Sequence, residues 1–552
     1  MAIAPGESLL SVLRERLRIV SVKDGCAPQG QCGCCTVLVD GEPRVACVTP
    51  ATRVVGRSVT TVEGIDPGIR DALVGGLTAT GGSQCGFCTP GIMVRLASAQ
   101  ARGKTSPADR DRALAAHLCR CTGWQTVLEA LASENPHHEG DSTPKRERAA
   151  LEGGGAQDVG PNVPLGQGGF ADDTAPRDAL VAVPLPPGSA ADAVEAAGMQ
   201  WVVAESLLEA RARAGKVQGR RTTVGSSPPL APPGLPAGGV RLATSWVEPA
   251  YLEPDASWCA PGGEPADPLA NAGAFGGKES SPVPRAAREL ADVLGRPVRA
   301  LYSREDVVRH GPKRAPIAAS AVVDGDRVVV RGGVARDADA YAAPPPCPYT
   351  IGIDAAWEAV PVAGPPVVAH PRFVLADRHV LVEGALAAAG VDRSALVTDG
   401  RAAATLLDTC ARADSGATAG ARVLLDTQGR IEHVALRIAA GDPLDTVVLR
   451  SYAIGAAHMA LGWVFTEALT VDPDTGEVFD LTIRSFGVIP ARNTPAIAVE
   501  LVDDPGPPLA RASDAVFAAV ASAAWNAVTA VDGTRPEQFP ARDTAAGRAL
   551  GR

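Results

Sequence analysis

Aromatic residues are scarce: Phe, Tyr and Trp make up only 4% of the 552 residues. Basic charge is short as well, with 52 Lys and Arg against 62 Asp and Glu and a net charge of -10. Non-specific nucleic-acid binding needs basic surface to neutralise phosphates, so this balance argues against it. Long apolar runs are missing too. The best candidate, residues 515–531, is mostly Ala, contains Ser522, Asn526 and Thr529, and falls short of the ~20 apolar residues of a membrane span. It reads as a packed helix. Near the start, Glu7, Arg14, Glu15, Arg16 and Arg18 interrupt any apolar core of a signal peptide. The expectation is a cytoplasmic protein with no membrane and no nucleic-acid partner. Gly (59) and Pro (47) are plentiful. At ~150 residues per domain, the length allows three or four domains.

Cysteine carries most of the signal. Nine of the twelve lie within the first 121 residues. A disulfide scaffold is usually small and secreted, so metal binding or redox chemistry is the better reading of a long chain without an export signal. Cys26, Cys32 and Cys35 share one Gly-containing loop, and Cys47 follows twelve positions on. Three clustered thiolates plus a distant one suit a [2Fe–2S] cluster, in which each iron takes two. The plant-type spacing has four residues between the first two cysteines, and here there are five. Cys34, between ligands, reads as a bystander. The second set is Cys85 and Cys88 with Cys119 and Cys121, each pair preceding an expected helix whose N-terminus favours an anionic cluster. A structural zinc site is the alternative for either set, and the asymmetric spacing argues against it for the first. Cys259, Cys347 and Cys410 stand alone and read as small packed apolar groups.

Leu9, Leu10, Leu13 and Leu17 predict an amphipathic helix over 7–18. Residues 36–40 and 44–49 read as strands around a turn at 41–43. Helices are expected over 92–101, 108–118, 125–132, 286–294 and 453–463, and strands over 328–330 and 478–483. Pro90 suits a first helical turn, Pro344 to Pro346 read as a loop, and the charged, Gly- and Pro-rich stretch after 134 reads as a linker.

The stretches GCAPQGQCGCCTVLVDG, QCGFCTPG and CRCTGW together resemble the two iron–sulfur domains of the molybdenum hydroxylases, the xanthine dehydrogenase and aldehyde oxidase family. The resemblance covers about the first quarter of the chain. It implies an α+β multidomain protein: a β-grasp ferredoxin-like domain at 1–66, a four-helix iron–sulfur domain at 67–135, a linker at 136–165 and an α/β molybdopterin-binding-like region at 166–552. It implies two [2Fe–2S] clusters and molybdopterin as cofactors. Gln84 stands where the family has a glutamine near the pterin, or is an ordinary polar loop residue. Ala274-Phe275-Gly276-Gly277-Lys278-Glu279 matches a family loop whose backbone approaches the cofactor, with Phe275 and Gly276 as cofactor contacts; glycine permits that approach because it has no Cβ. Tyr251-Leu252-Glu253-Pro254, Arg296-Pro297-Val298-Arg299, Leu461-Gly462-Trp463 and Asp472-Pro473-Asp474-Thr475-Gly476 are similar to other family segments.

The departures are as informative. The family's opening strands have no counterpart before the first helix, which implies a late start codon or a weakened sheet. No FAD domain fits between 135 and 166, so electrons would leave to a separate acceptor or flavoprotein. The family's general base is a Glu before a C-terminal helix, and Asp514 stands there, either as the base or as a helix N-cap. Glu279 binds substrate or forms a surface ion pair. His137-His138 is expected to be exposed in the linker. Two readings follow from the resemblance. One is a hydroxylase of an aldehyde or N-heterocycle, with a homodimer as its candidate assembly. The other is a degenerate electron-transfer or accessory protein that keeps the clusters alone.

Overall fold

The computed structural model describes residues 2–132, 141–215, 222–267, 274, 276–343 and 346–551. His137, His138, Pro344 and Pro345 lie outside these residues, so the expectations placed on them have no structural counterpart here.

The first unit is a three-stranded antiparallel sheet in which Thr36–Val39 lies between Glu42–Val45 and Val59–Thr60. Alternation puts Val37 and Val39 on its buried face, against Leu9, Leu10 and Leu13 of the leading helix. That helix is an α-turn at Leu9–Ser11 continued by a π-turn at Val12–Arg16. The return strand ends at Val45, earlier than the sequence suggests, and Cys47 lies in the turn Ala46–Val48. The cause is local: the Ala46 N–H donates to the Cys35 carbonyl and the Cys47 N–H to Cys35 Sγ, 3.4 Å away, which pulls the chain off the ladder.

Four helices follow, Pro67–Thr80, Thr89–Ala101, Pro107–Leu114 and Gln125–Ala130. Three begin with Pro in the first turn, where its missing N–H costs nothing. Asp66 and Ser106 cap two of them through the N–H groups of Ile69 and Asp109. The third stops at Leu114 instead of 118, because the next residues turn towards the cysteine loop and the Leu118 N–H donates to Cys32 O.

The segment read as a linker holds a packed helix, Thr143–Gly153, whose Arg148, Ala149 and Glu152 are buried. Beyond it a mixed five-stranded sheet, in the order 194–196, 199–204, 180–184, 298–301 and 256–259, is covered on one face by Val283–Leu294 and on the other by Leu207–Ala214. Two further sheets contain the strands Arg327–Ala335 and Ile431–Ala439. Residues 478–483 are not a strand: Val478 makes one bridge to Val471, and the chain then turns. The core is built on three helices, Pro371–Ala388, Thr446–Phe465 and Ala512–Asp532. The last two are long and apolar enough to cross a membrane, yet 89% and 72% of their most apolar windows are buried inside the protein. Their composition is therefore accounted for by packing.

Candidate functional site

Each cysteine set converges. In the first, the thiol of Cys26 interacts with those of Cys32 and Cys47, and Cys47 also interacts with Cys35. Hydrogen bonding from its neighbours pulls the Cys26 thiol down, while the same contacts push Cys32 and Cys47 up. Two backbone donors, the N–H groups of Gln29 and Gln31, point at Cys26 Sγ from 3.3 and 3.4 Å. The loop makes this possible by turning through left-handed conformations at Ala27, Gly30 and Gly33. In the second set Cys85 and Cys121 are 3.7 Å apart, and Cys88 pairs with Cys119. The Cys119 thiol is pulled down to about 6 by Cys88 and by the Thr122 hydroxyl, 3.0 Å away. All eight side chains are buried.

Among the described residues, no three His, Cys, Asp or Glu side chains close on one point as a single ion requires. In the second set the thiols meet in twos, whereas in the first they form a chain in which Cys26 and Cys47 each contact two others. Cys34 is also fully buried, against Cys32. Cys259 and Cys410 are buried, and Cys347 is half-buried.

The two cysteine sets interlock through backbone. A side chain at Gly33 would stand 2.5 Å from His117 Nδ1 and 2.7 Å from Ala116 O, and one at Gly91 would stand 2.9 Å from Cys34 O. The second set is joined to the remainder of the chain in the same way. A side chain at Gly455, on Thr446–Phe465, would stand 3.0 Å from the Cys121 carbonyl carbon. Gln84 Nε2 donates to Cys121 O (2.9 Å) and to Ser451 Oγ (3.0 Å). Arg120, between two cysteines, donates through Nε to Pro249 O (2.8 Å) and through both terminal nitrogens to Glu467. Burial raises the Glu467 carboxyl even with Arg120 opposing it.

The remaining expected residues are partly brought together. Gln84 Oε1 is buried without a partner and lines a cavity of about 30 Å³ closed by Lys145, Ala149, Gln157 and Tyr452. Gly276 is left-handed, and a Cβ there would lie 2.7 Å from His370 Cδ2 and 3.1 Å from Glu279 Oε1. Phe275 lies outside the described residues. Glu279 is half-exposed, 3.7 Å from Arg511. Asp514 is not a helix cap. Arg511 holds that position and Asp514 falls in the first turn, buried, where Arg372 binds its carboxylate and the Ser513 hydroxyl. The end of this helix is occupied from another direction: Glu152 accepts from the N–H groups of Ala512 (3.2 Å) and Ser513 (2.9 Å). His370, 3.4 Å from Arg511, is held down at about 3 by burial and then by Arg372 and Arg511.

Residues 61–132 match the [2Fe-2S] binding domain family. A protein of Bacillus subtilis (strain 168) described as a probable xanthine dehydrogenase component is 36% identical over 132 residues, 24% of this chain and 75% of that protein. The xanthine dehydrogenase iron-sulfur-binding subunit of Escherichia coli O157:H7 is 39% identical over 131 residues, 23% of this chain and 81% of that one. The aldehyde oxidoreductase of Desulfovibrio desulfuricans ATCC 27774 superposes with a TM-score of 0.73 at 15% identity, covering 100% of this chain and 98% of that one. The Desulfovibrio gigas aldehyde oxidoreductase gives 0.72 at 14%, with the same coverage. The fold is thus shared along the whole length, and the sequence likeness is concentrated where the eight cysteines lie. The chain is an iron–sulfur oxidoreductase that belongs to the xanthine dehydrogenase family of molybdenum hydroxylases.

Proposed function

We propose that the chain passes electrons between two [2Fe–2S] clusters, one held by Cys26, Cys32, Cys35 and Cys47 and the other by Cys85, Cys88, Cys119 and Cys121. The observation that carries this reading is the convergence of four buried thiols in each set, on loops that touch through Gly33 and Gly91. The second cluster lies on the Gln84 side, against Thr446–Phe465, and the first lies under the N-terminal helix. Electrons would enter from an oxidised aldehyde or N-heterocycle, cross from the second cluster to the first, and leave to a separate acceptor such as a flavoprotein.

Molybdopterin would be held beside Gln84 and the backbone at Gly276, and when bound it would supply the two-electron oxidation of the substrate. The buried, partnerless Gln84 Oε1 fits such a ligand. A cavity of about 30 Å³ holds little more than a water molecule, so the group would enter only by displacing the 143–164 segment. In that site Arg372 orients Asp514, and Glu152 holds the helix end. These same contacts favour a second reading, electron transfer without hydroxylation, because they commit the Asp514 carboxylate to an ion pair. Anaerobic reconstitution followed by iron and pterin analysis tests both. Iron for two clusters with molybdopterin supports the hydroxylase, iron for two clusters alone supports the second reading, and zinc or iron for one cluster overturns both.

A further inference from the structure

A cavity of about 260 Å³ lies between the N-terminal helix, the first cysteine loop and the strand Val298–Leu301. Cys47, a proposed ligand of the first cluster, lines it, as do Ala27 and Pro28 of the cysteine loop. An occupant would therefore lie against the first cysteine set, with no other element between. The volume is near the ~300 Å³ lower end of small-molecule sites, which combine apolar walls with a few placed polar groups.

The walls are apolar and their charges cancel. Pro28, Phe87, Leu208 and Pro254 all line the cavity. Pro28 and Pro254 are only half-buried and Leu208 is 39% exposed, so this apolar surface is open to an occupant. Arg14 and Arg299 are paired with Asp172 and Glu15, Arg211 with Asp24, and Glu253 with Lys278. Neither an anion nor a cation is called for. The groups left to meet a ligand are donors. Arg211 spends one nitrogen, Nη2, on Asp24 at 3.1 Å, and its side chain is 18% exposed. A guanidinium carries five N–H groups, so others remain. Ser11 is half-buried, and among the described residues its hydroxyl has no partner.

We propose that this cavity binds a small neutral quinone, a flat conjugated ring whose carbonyl oxygens accept from Arg211 and the Ser11 hydroxyl while its faces pack against Phe87 and Pro28. The proposal names the acceptor for the electron-transfer reading and rests on that reading for its electrons, though not for its binding. The quinone takes two electrons past Cys47, one at a time, and two protons from water. Two O–H bonds form, the reduced centres are left oxidised, and the product departs as the hydroquinone. A charged ring of the same size would bring an unpaired charge against apolar walls, which is unfavourable.

The probe is menadione, titrated calorimetrically into the full-length protein with its clusters reconstituted and oxidised, where no electron can move. Saturable binding is expected. Ser11→Phe, whose ring extends into the open volume, should weaken it at least tenfold. Arg211→Met, which keeps the apolar stem and loses the donor, should weaken it at least threefold; its pair with Asp24 is partly exposed, so the variant folds. The dithionite-reduced protein is then mixed with menadione or with ferricyanide, and cluster absorbance is followed. Menadione should reoxidise Ser11→Phe at least tenfold more slowly than the native chain, whereas ferricyanide, which needs no cavity, should act equally on both. No saturable binding to oxidised protein overturns the proposal, as does undiminished binding in both variants. Menadione that reoxidises Ser11→Phe as fast as the native chain overturns the acceptor role. Clusters that accept no electron from dithionite refute the electron-transfer reading instead, a failure the binding data keep distinct.

Discussion

Replacing Gly455 by Ala tests whether the second cysteine set is positioned by contact with the core. The added Cβ would stand 3.0 Å from the Cys121 carbonyl carbon and nearer still to its oxygen. Unstrained carbon contacts lie at about 3.5 Å or beyond, so helix and loop must separate by roughly 1 Å. Backbone opposes the new methyl, so no rotamer change relieves it. Overpacking of this kind costs about 1–3 kcal/mol, and losing the Gln84–Cys121 hydrogen bond adds about 1 kcal/mol. Better helix propensity returns up to about 1 kcal/mol. A net loss of about 2 kcal/mol is expected, read as a lower urea midpoint, together with a changed EPR signal of the second cluster only. Gly400→Ala is the control: Gly400 is the first residue of the helix Gly400–Thr405, and nothing lies within 4 Å of its added methyl, so it should be neutral or slightly stabilising. If Gly455→Ala keeps the native midpoint and EPR spectrum, the claimed contact does not position the cluster.

Glu467→Gln leaves Arg120 buried without its anion and should cost about 3–5 kcal/mol, again with the second cluster's spectrum as the local readout; an unchanged urea midpoint refutes the pairing. Asp514→Asn should abolish hydroxylase activity in pterin-loaded protein and, because it removes a buried ion pair with Arg372, also lower stability. Full activity in the Asn variant would leave Asp514 only a structural role. Burial raises Glu253 from its ordinary value to about 7. A carboxyl raised on folding favours the folded state fully below about 4.5 and loses that contribution as pH climbs through about 7, here about 3 kcal/mol. The fall in stability between pH 5 and 8 should therefore be shallower in Glu253→Gln than in the native chain, and parallel curves would contradict the shift.

The convergence of each cysteine set could be anticipated from the sequence because its members recur at short, distinctive spacing, and the loop glycines among them mark left-handed turns. The leucine stripe at 9–13 and the alanine-rich helices were equally plain, since periodicity follows burial. The role of Asp514 was not legible. Its partner Arg372 lies 142 positions away, and nothing in the string joins them. The packed helix within the expected linker was hidden by charge, for Arg148 and Glu152 look like surface residues until they pair in the interior. Their i, i+4 spacing was the available signal. The turn at 478–483 misled because apolar alternation there serves core packing without a neighbouring strand.

The glycine contacts at positions 33, 91 and 455 carry a mechanical consequence. Where two loops meet through side chains, their separation breathes with rotamer hops on the picosecond to nanosecond scale. At Gly91 and Gly455 backbone rests on backbone, and at Gly33 the Ala116 carbonyl does so beside the His117 ring; main-chain atoms in packed loops have no such freedom. Peptide geometry thus sets the gap between the two cysteine loops at Gly33 and Gly91, and the gap between the second loop and the core helix at Gly455. Side chains around these contacts can be exchanged without changing how far apart the two cysteine sets stand.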